Sequence, residues 1–173
     1  MKSFANLSMI LAVTLNAAIF GFFYAWVCST MWGLDAADPR VAIASMQAMN
    51  ASVRNIVFAP AFFGTPFALA FAATVLWRSN AGKSAILFGA AALVYLVCGL
   101  MLTMLVNVPM NEALASIAVP SDIATAREIW LDYSRDWKIW NQVRTIASGV
   151  ALILAICGVL ALGERRATRP SES

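Results

Sequence analysis

Histidine is absent from this chain of 173 residues, and charged side chains are scarce. Without histidine, the sequence lacks the commonest transition-metal ligand and the usual general base. A haem or di-iron site would have to use methionine, tyrosine, cysteine or carboxylates alone, so we expect no metal site. Charged residues make up only 12% of the chain and hydrophobic residues 61%, whereas soluble domains average about 25% and about 45–50%. The composition therefore indicates a membrane protein.

Cysteine is also rare, and the three present, Cys28, Cys98 and Cys157, lie in or beside apolar runs. Their spacing matches no metal motif, and an odd number argues against a closed set of disulfides. We interpret them as small packing residues. The net charge of +3 is small and the basic residues are scattered. Nucleic-acid binding needs a clustered basic face, so no nucleic-acid partner is expected.

Four long apolar runs occupy residues 4–28, 56–77, 85–106 and 146–162. A helix needs about 20 apolar residues to cross the bilayer core, and no strand-like alternation competes with these runs. The sequence predicts an all-α protein, an antiparallel four-helix transmembrane bundle with helical extracytoplasmic extensions and the lipid bilayer as its partner. We expect one membrane domain over residues 1–163, followed by a polar cytoplasmic tail over 164–173.

The inner segments carry half of the twelve basic residues but only two of the nine acids, and this imbalance orients the chain. With the amino terminus in the cytoplasm, the inner segments hold six basic residues against two acids, Glu164 and Glu172. The positive-inside rule favours this orientation. It predicts a cell-membrane protein with both termini cytoplasmic, and it puts residues 32–55 and 107–143 on the outer side.

Two spans contain residues that are unusual in lipid. Asn16 lies near the middle of the first span, where its amide needs a partner; an interhelical hydrogen bond or a place in a pocket lining would supply one. Pro60 and Pro66 in the second span each remove a helical donor, from the carbonyl oxygens of Ile56 and Phe62. This span is therefore either the wall of a cavity or simply a kinked helix.

The third and fourth spans each carry a face of small or polar residues. Residues four apart share one face of a helix. One such face, on the third span, leads towards the outer segment and carries Gly99, Thr103 and Asn107. The other, on the fourth span, suits close helix packing and carries Ser148, Ala151, Ala155 and Gly158.

The first outer segment is predicted to be a helix that starts at Asp38-Pro39, since proline is tolerated in the first turn. Gln47, Asn50 and Arg54 form a polar stripe on this otherwise apolar helix. The stripe is either a solvated outer face or a wall of a shared polar pocket.

The second outer segment has an N-cap signal at Ser121-Asp122, followed by a helical run that continues into the fourth span. One face of that run is aromatic and polar, and the opposite face is charged. The first face holds Trp130, Tyr133, Trp137, Trp140, Asn141, Arg144 and Ser148; the second holds Glu128, Asp132, Arg135 and Asp136. The aromatic face is interpreted either as an inward-facing site or as an aromatic belt at the headgroups.

Glu112 is the acid that we single out, because it follows Pro109 close to the membrane surface between apolar neighbours. A buried carboxylate must be paired, and Arg144 and Arg54 are the cations at similar depth. We predict a Glu112–Arg144 pair, which would serve either catalysis or the scaffold of the outer segments.

Several pieces of the sequence together resemble the anthrone oxygenase-like family of four-span membrane proteins, long catalogued as a domain of unknown function. The resemblance covers nearly the whole chain. The pieces that carry it are Met46-Gln47-Ala48-Met49-Asn50, the stretch from Pro60 to Pro66, Asn107-Val108-Pro109-Met110-Asn111-Glu112-Ala113-Leu114, the stretch from Trp130 to Trp137, and Trp140-Asn141-Gln142-Val143-Arg144-Thr145.

As in the best-known fungal members of the family, the resemblance implies oxidation of an anthrone to an anthraquinone by dioxygen, without a metal or a flavin, and we expect no cofactor. Most bacterial-looking members of the family have no assigned activity. Many members carry histidine where this chain has Gln142, so the resemblance supplies no histidine base here.

With the resemblance, the residues define a hypothetical site for a flat lipophilic aromatic. Trp130, Tyr133 and Trp137 would form a stacking slot. Glu112 would be the base if burial raises its pKa. Arg144, with Asn111 or Asn141, would hold the developing oxyanion. The catalytic candidates are Glu112, Arg144 and Tyr133; the substrate-binding candidates are Asn107, Asn111, Trp130, Trp137, Asn141, Gln47, Asn50 and Arg54.

A different class of function fits the same residues. The chain would then be a non-catalytic membrane scaffold or accessory subunit whose outer face packs against a partner. A preformed hollow between Glu112, Tyr133 and Arg144 favours the oxidoreductase, and a filled core favours the scaffold. A transporter ranks third, since the spans have no ionisable residue at mid-membrane. The sequence leaves a homo-oligomer open.

Overall fold

The apolar runs become four long helical stretches in the computed structural model, which describes residues 2–167 and, for side chains, 3–163. Four stretches are long and apolar enough to cross a membrane: Ser3–Ala36, Phe58–Arg78, Gly82–Ala115 and Ile123–Gly163. Within the described range no strand occurs. The predicted all-α fold with four membrane-spanning helices is confirmed.

Two of the four helical stretches, Ser3–Ala36 and Gly82–Ala115, are built from several joined helical segments that differ in pitch. In chain order the elements are α1 (Lys2–Ala25), π1 (Trp26–Thr30), α2 (Met31–Ala36), α3 (Pro39–Ser52), α4 (Phe58–Arg78), α5 (Gly82–Val94), π2 (Tyr95–Met101), π3 (Thr103–Asn107), α6 (Val108–Ala115) and α7 (Ile123–Ala167). Each π segment holds more residues per turn than an α-helix, and such segments often mark functional sites.

The long helices form a ring in which α1 packs on α4, α4 on α5, α5 on α7, and α7 back on α1. The predicted small-residue face of α7 lies inside this ring, with Ala151, Ala155 and Ser148 fully buried. A Cβ atom added at Gly158 would lie 2.7 Å from the ring of Phe88. The small side chains therefore let α5 and α7 approach closely.

The shorter helices gather at one end of the bundle, which we call the capped end. There α3 packs on α2 and on α6, and all three helices pack on α7. Their shared core contains Met31, Ile43, Met46 and Leu114. Residues 32–55 and 107–143 thus meet at the same end of the molecule.

Both predicted helix starts at the capped end are present. The Asp38 carboxylate accepts a hydrogen bond of 2.9 Å from the Arg40 backbone N–H and forms an ion pair with the Arg40 guanidinium. These bonds lower the pKa of Asp38 from 3.8 to about 2. At the start of α7, the Asp122 carboxylate accepts from the hydroxyl and amide of Thr125, which likewise lowers the pKa of Asp122. Each helix therefore begins at a capping carboxylate.

The structure corrects the expectation for Asn16 in the first span, and most of the predicted tail lies outside the residues that it describes. Asn16 is fully buried, but neither atom of its amide has a hydrogen-bond partner among the described residues. Of the two alternatives left open for Asn16, the interhelical hydrogen bond is therefore wrong, and the residue does not line the cavity described below either. α7 continues to Ala167, and the rest of the predicted tail, residues 168–173, lies outside the part of the chain that the structure describes.

Candidate ligand-binding cavity

A cavity of about 580 Å³ opens where the ring of long helices meets the capped end. Its volume is within the range of about 300–1,000 Å³ typical of small-molecule sites. The side chains that line it come from α1, π1, α4, π3, α6, α7 and the end of α3 with the following loop. They are Phe22, Phe23, Trp26, Asn50, Val53, Arg54, Asn55, Ile56, Phe58, Ala59, Phe62, Phe63, Thr103, Met104, Val108, Asn111, Glu112, Trp137 and Arg144.

Aromatic rings form much of the cavity wall. On one side Phe58 lies 4.8 Å from Phe22 and stacks on Phe62 at 5.2 Å, measured between ring centroids. Elsewhere on the lining, Trp26 and Trp137 approach to 5.1 Å. Rings have large apolar faces and few rotamers, so such walls suit a flat aromatic ligand.

Arg144 is the one lining cation that is buried, with only 5% of its surface exposed. Its Nε donates to Asn141 Oδ1 at 3.0 Å, and its Nη1 to Thr103 Oγ1 at 3.4 Å. The guanidinium carbon lies 4.5 Å from the Phe23 ring centroid and 5.0 Å from that of Trp137.

No carboxylate within the described range pairs with Arg144. A buried charge without a counter-ion is costly. An anionic or strongly polarised oxygen entering the cavity would therefore be attracted to this guanidinium.

The predicted Glu112–Arg144 pair is wrong. The Glu112 carboxylate instead pairs with the Arg54 guanidinium at 3.2 Å, and 59% of its side chain is exposed. Glu112 does line the cavity, but it lies at the edge, where its charge remains hydrated. The burial that we predicted for this carboxylate is absent.

Asn111 holds two neighbouring donors with a single oxygen. Its Oδ1 accepts from the Tyr133 hydroxyl at 2.8 Å and from Trp137 Nε1 at 2.9 Å. Asn111 lines the cavity, and its side-chain Nδ2 donates no hydrogen bond to any residue in the described part of the chain. That amide nitrogen is thus left to donate to a ligand.

Asn141 is fully engaged within the protein. Its Oδ1 accepts from Arg144, and its Nδ2 donates to the Phe23 carbonyl at 3.4 Å. It is buried behind the arginine and does not line the cavity. Asn111 and Asn141 were the two candidates to hold an oxyanion together with Arg144. The geometry favours Asn111.

The aromatic slot is not formed by the three residues that we predicted for it. Trp137 lines the cavity, whereas Trp130 and Tyr133 lie in the core of the capped end. Trp130 Nε1 donates to Asp35 at 3.0 Å. The Tyr133 hydroxyl, which donates to Asn111, also accepts a long bond of 3.5 Å from Asn50. Neither ring is exposed to the cavity, and the Tyr133 hydroxyl contacts the lining residues Asn111 and Asn50.

The remaining candidates are divided between the cavity and its surroundings. Asn50 and Arg54 line the cavity. Gln47 instead donates to the carbonyl oxygens of Leu114 and Ile117 at the end of α6. Asn107 is fully buried and does not line the cavity, and its side-chain amide has no hydrogen-bond partner among the described residues.

Sequence reasoning missed the phenylalanines of the wall, above all Phe22, Phe58 and Phe62. The available signal was their density around Pro60 and Pro66, since that span was already a candidate cavity wall. Thr103 was assigned to a polar face of the third span, and it is this face that meets Arg144.

Fold and site together define a helical membrane protein with a preformed, largely aromatic cavity around a buried arginine. A family model described as anthrone oxygenase matches residues 52–154, more than half of the chain. The chain therefore belongs to the anthrone oxygenase family. The matched segment includes α4, the third span and Arg144, whereas the wall formed by Phe22, Phe23 and Trp26 lies before it. No curated protein and no solved structure matches the chain.

Proposed function

We propose that this protein is a cofactor-free oxygenase that uses dioxygen to oxidise a flat, lipophilic, enolisable aromatic of the anthrone class. The observation that carries the proposal is Arg144, a buried cation with only neutral hydrogen-bond partners inside an aromatic cavity. We expected a hollow between Glu112, Tyr133 and Arg144 for an oxidoreductase. Glu112 and Arg144 line the cavity and Tyr133 does not, so two of the three residues support ligand binding over the alternative of a non-catalytic scaffold.

The substrate reacts through its enolate. Removal of a proton from the CH₂ group between the aromatic rings leaves a negative charge that is shared with the carbonyl oxygen. The enolate gives an electron to dioxygen, a C–O bond forms at the same carbon, and protonation gives a hydroperoxide. Loss of water then leaves the second carbonyl, so one anthrone and one dioxygen yield one anthraquinone and one water.

Arg144 and Asn111 stabilise the enolate in this scheme. The guanidinium and the amide Nδ2 both donate to the oxygen on which the charge develops, and donors fixed in a low-dielectric site are effective there. The rings of Phe58, Phe62 and Trp137 hold the substrate plane. Binding the enolate more tightly than the ketone increases the acidity of the CH₂ group.

Glu112 is the proposed proton acceptor. It lines the edge of the cavity, and its ion pair with Arg54 fixes one carboxylate oxygen. A carboxylate at the edge can pass the proton to water. Gln142 stands where many members of the family carry histidine. Its side chain is exposed on the surface of α7 and does not line the cavity, so it takes no part in the scheme.

The test uses purified protein in lipid nanodiscs with anthrone. We expect oxygen uptake and anthraquinone formation above the spontaneous rate. Arg144→Met should lower kcat by about 100-fold, the loss typical of removing an oxyanion donor. Arg78→Met, at the exposed end of α4, is the matched control and should keep full activity. Wild-type turnover no faster than that of Arg144→Met would contradict the proposal, and Glu112→Gln with full turnover would remove the base assignment.

The setting of the site is part of the same proposal. We place the single domain, residues 1–163, in the cell membrane with both termini in the cytoplasm and the capped end outside. Short inner segments rich in lysine and arginine support this orientation. A single-cysteine variant, Ser121→Cys at the capped end, should react in intact cells with a thiol reagent that cannot cross the membrane. Labelling only after lysis would reverse the orientation.

A further inference from the structure

The ring of helices is not closed along the whole length of the cavity. α4 packs along α5 and reaches π2, but it makes at most marginal contact with π3. The second and third spans therefore separate towards the capped end, at the level of the cavity. Between them lies a gap in the wall of the bundle.

The sides of this gap are apolar and face outwards. Phe63 on α4 and Met104 on π3 both line the cavity, yet 47% and 43% of their surfaces are exposed. Ile56, just before α4, also lines the cavity and is 87% exposed. Phe63 and Met104 belong to stretches that are apolar enough to cross a membrane, so the gap opens onto lipid.

An ion pair crosses the same gap at its capped end. Arg54, in the loop before α4, reaches Glu112 on α6 at 3.2 Å, and both side chains are more than half exposed. A hydrated pair belongs at the aqueous surface, whereas the apolar opening lies beyond it towards the centre of the bilayer. The cavity is thus bounded by charge on the water side and by movable apolar side chains on the lipid side.

We propose that the gap between Phe63 and Met104 is a lateral portal through which a flat lipophilic aromatic enters the cavity from the bilayer. The identity of the ligand rests on the proposed function. The route itself rests on the separation of α4 from π3 and on the outward exposure of residues that also line the cavity. Arg54 and Glu112 keep the ligand from entering through the aqueous face.

A membrane-confined competitor tests the route. The probe is a phosphatidylcholine with an anthracene group attached partway along one acyl chain, so the ring can reach the cavity only from within the bilayer. Wild-type protein in phosphatidylcholine nanodiscs is loaded with radiolabelled anthrone in the absence of oxygen, which prevents turnover. We expect the probe to displace the bound anthrone.

Variants at the portal show whether the probe uses the gap. Phe63→Trp and Met104→Trp fill the opening and should slow displacement by about tenfold, because bound anthrone must leave through the same gap before the probe can enter and a modest rise in that barrier slows the exchange. Phe67→Trp and Leu105→Trp are the matched controls: both positions are exposed on the same helical stretches and do not line the cavity, so displacement should be unchanged.

The outcomes separate the portal from the proposed function. If anthrone binds but the tethered probe does not displace it, the portal is wrong and the proposed function stands. Displacement at the same rate in all four variants also overturns the portal, since the probe would then enter elsewhere. If neither ligand binds the wild-type protein, both proposals fail.

Discussion

The Tyr95 hydroxyl donates a hydrogen bond of 3.0 Å to the carbonyl oxygen of Phe62. Pro66, four residues further along α4, has no N–H with which to satisfy that oxygen. The bond therefore replaces a missing helical hydrogen bond with one from the neighbouring span. It also ties the Phe62 side of the cavity wall to the start of π2.

Removing this hydroxyl should destabilise the protein. In Tyr95→Phe the buried Phe62 carbonyl loses its partner, which costs about 1–3 kcal/mol. Reversible unfolding in mixed micelles, followed by tryptophan fluorescence, measures the change in unfolding free energy. Tyr24→Phe is the control, because Tyr24 is exposed and should change stability by less than about 0.5 kcal/mol. Equal stability of wild type and Tyr95→Phe would show that another group satisfies the carbonyl.

The sequence predicted those features that depend on local pattern. Membrane spans follow from long apolar runs, the starts of α3 and α7 from their capping carboxylates, and the inward direction of Arg144 from the helical period. Trp140 was assigned to the same inward face but is partly exposed, since the buried stripe of α7 is narrower than the predicted arc.

The sequence did not predict features that depend on which spans lie next to each other. Arg54 rather than Arg144 pairs with Glu112, because the loop after α3 lies against α6 at the surface. The π segments have no local signal, so the register of Thr103 and Asn111 against α7 could not be deduced. The phenylalanine wall likewise needs α1 and α4 to be neighbours.

Arg144 should contribute to ligand binding rather than to stability. Methionine replaces an unpaired buried cation with an apolar side chain of similar length, which removes the cost of burying that charge. Lost bonds to Asn141 and Thr103 offset part of that gain, so we expect the unfolding free energy of Arg144→Met to stay within about 1 kcal/mol of wild type. Chemical unfolding of both proteins checks this. A loss above about 3 kcal/mol would mean that the guanidinium is structural and would favour the scaffold alternative.

Asn111 offers a substitution that separates holding the aromatic residues from binding the ligand. Asn111→Asp keeps an oxygen for Tyr133 and Trp137 but loses the amide donor and brings a negative charge to the cavity of Arg144. We expect near-wild-type stability with kcat for anthrone lower by about 100-fold. Oxygen uptake and unfolding, measured on the same preparation, check the two parts.

Asn111→Leu is the matched comparison for this position. It leaves the Tyr133 hydroxyl and the Trp137 indole N–H without their acceptor, which should cost about 1–3 kcal/mol for each buried donor. Wild-type turnover by Asn111→Asp would show that the amide nitrogen does not touch the substrate. Full stability of Asn111→Leu would show that the two donors find other acceptors.

Close contact between α5 and α7 should depend on Gly158. A Cβ atom there would lie 2.7 Å from the ring of Phe88 and 3.4 Å from Leu87 Cβ, and Phe88 is fully buried and cannot move aside freely. Overpacking of this kind costs about 1–3 kcal/mol, so Gly158→Ala should lower the unfolding free energy by that amount. Gly21→Ala on α1 is the control, because no atom lies within 4 Å of its added Cβ and alanine favours the helix by about 1 kcal/mol. Thermal unfolding of the two variants in the same nanodiscs should move the midpoint in opposite directions. A Gly158→Ala midpoint at or above the wild-type value would mean that α5 and α7 separate at no cost, and the small-residue face would not be what holds these two spans together.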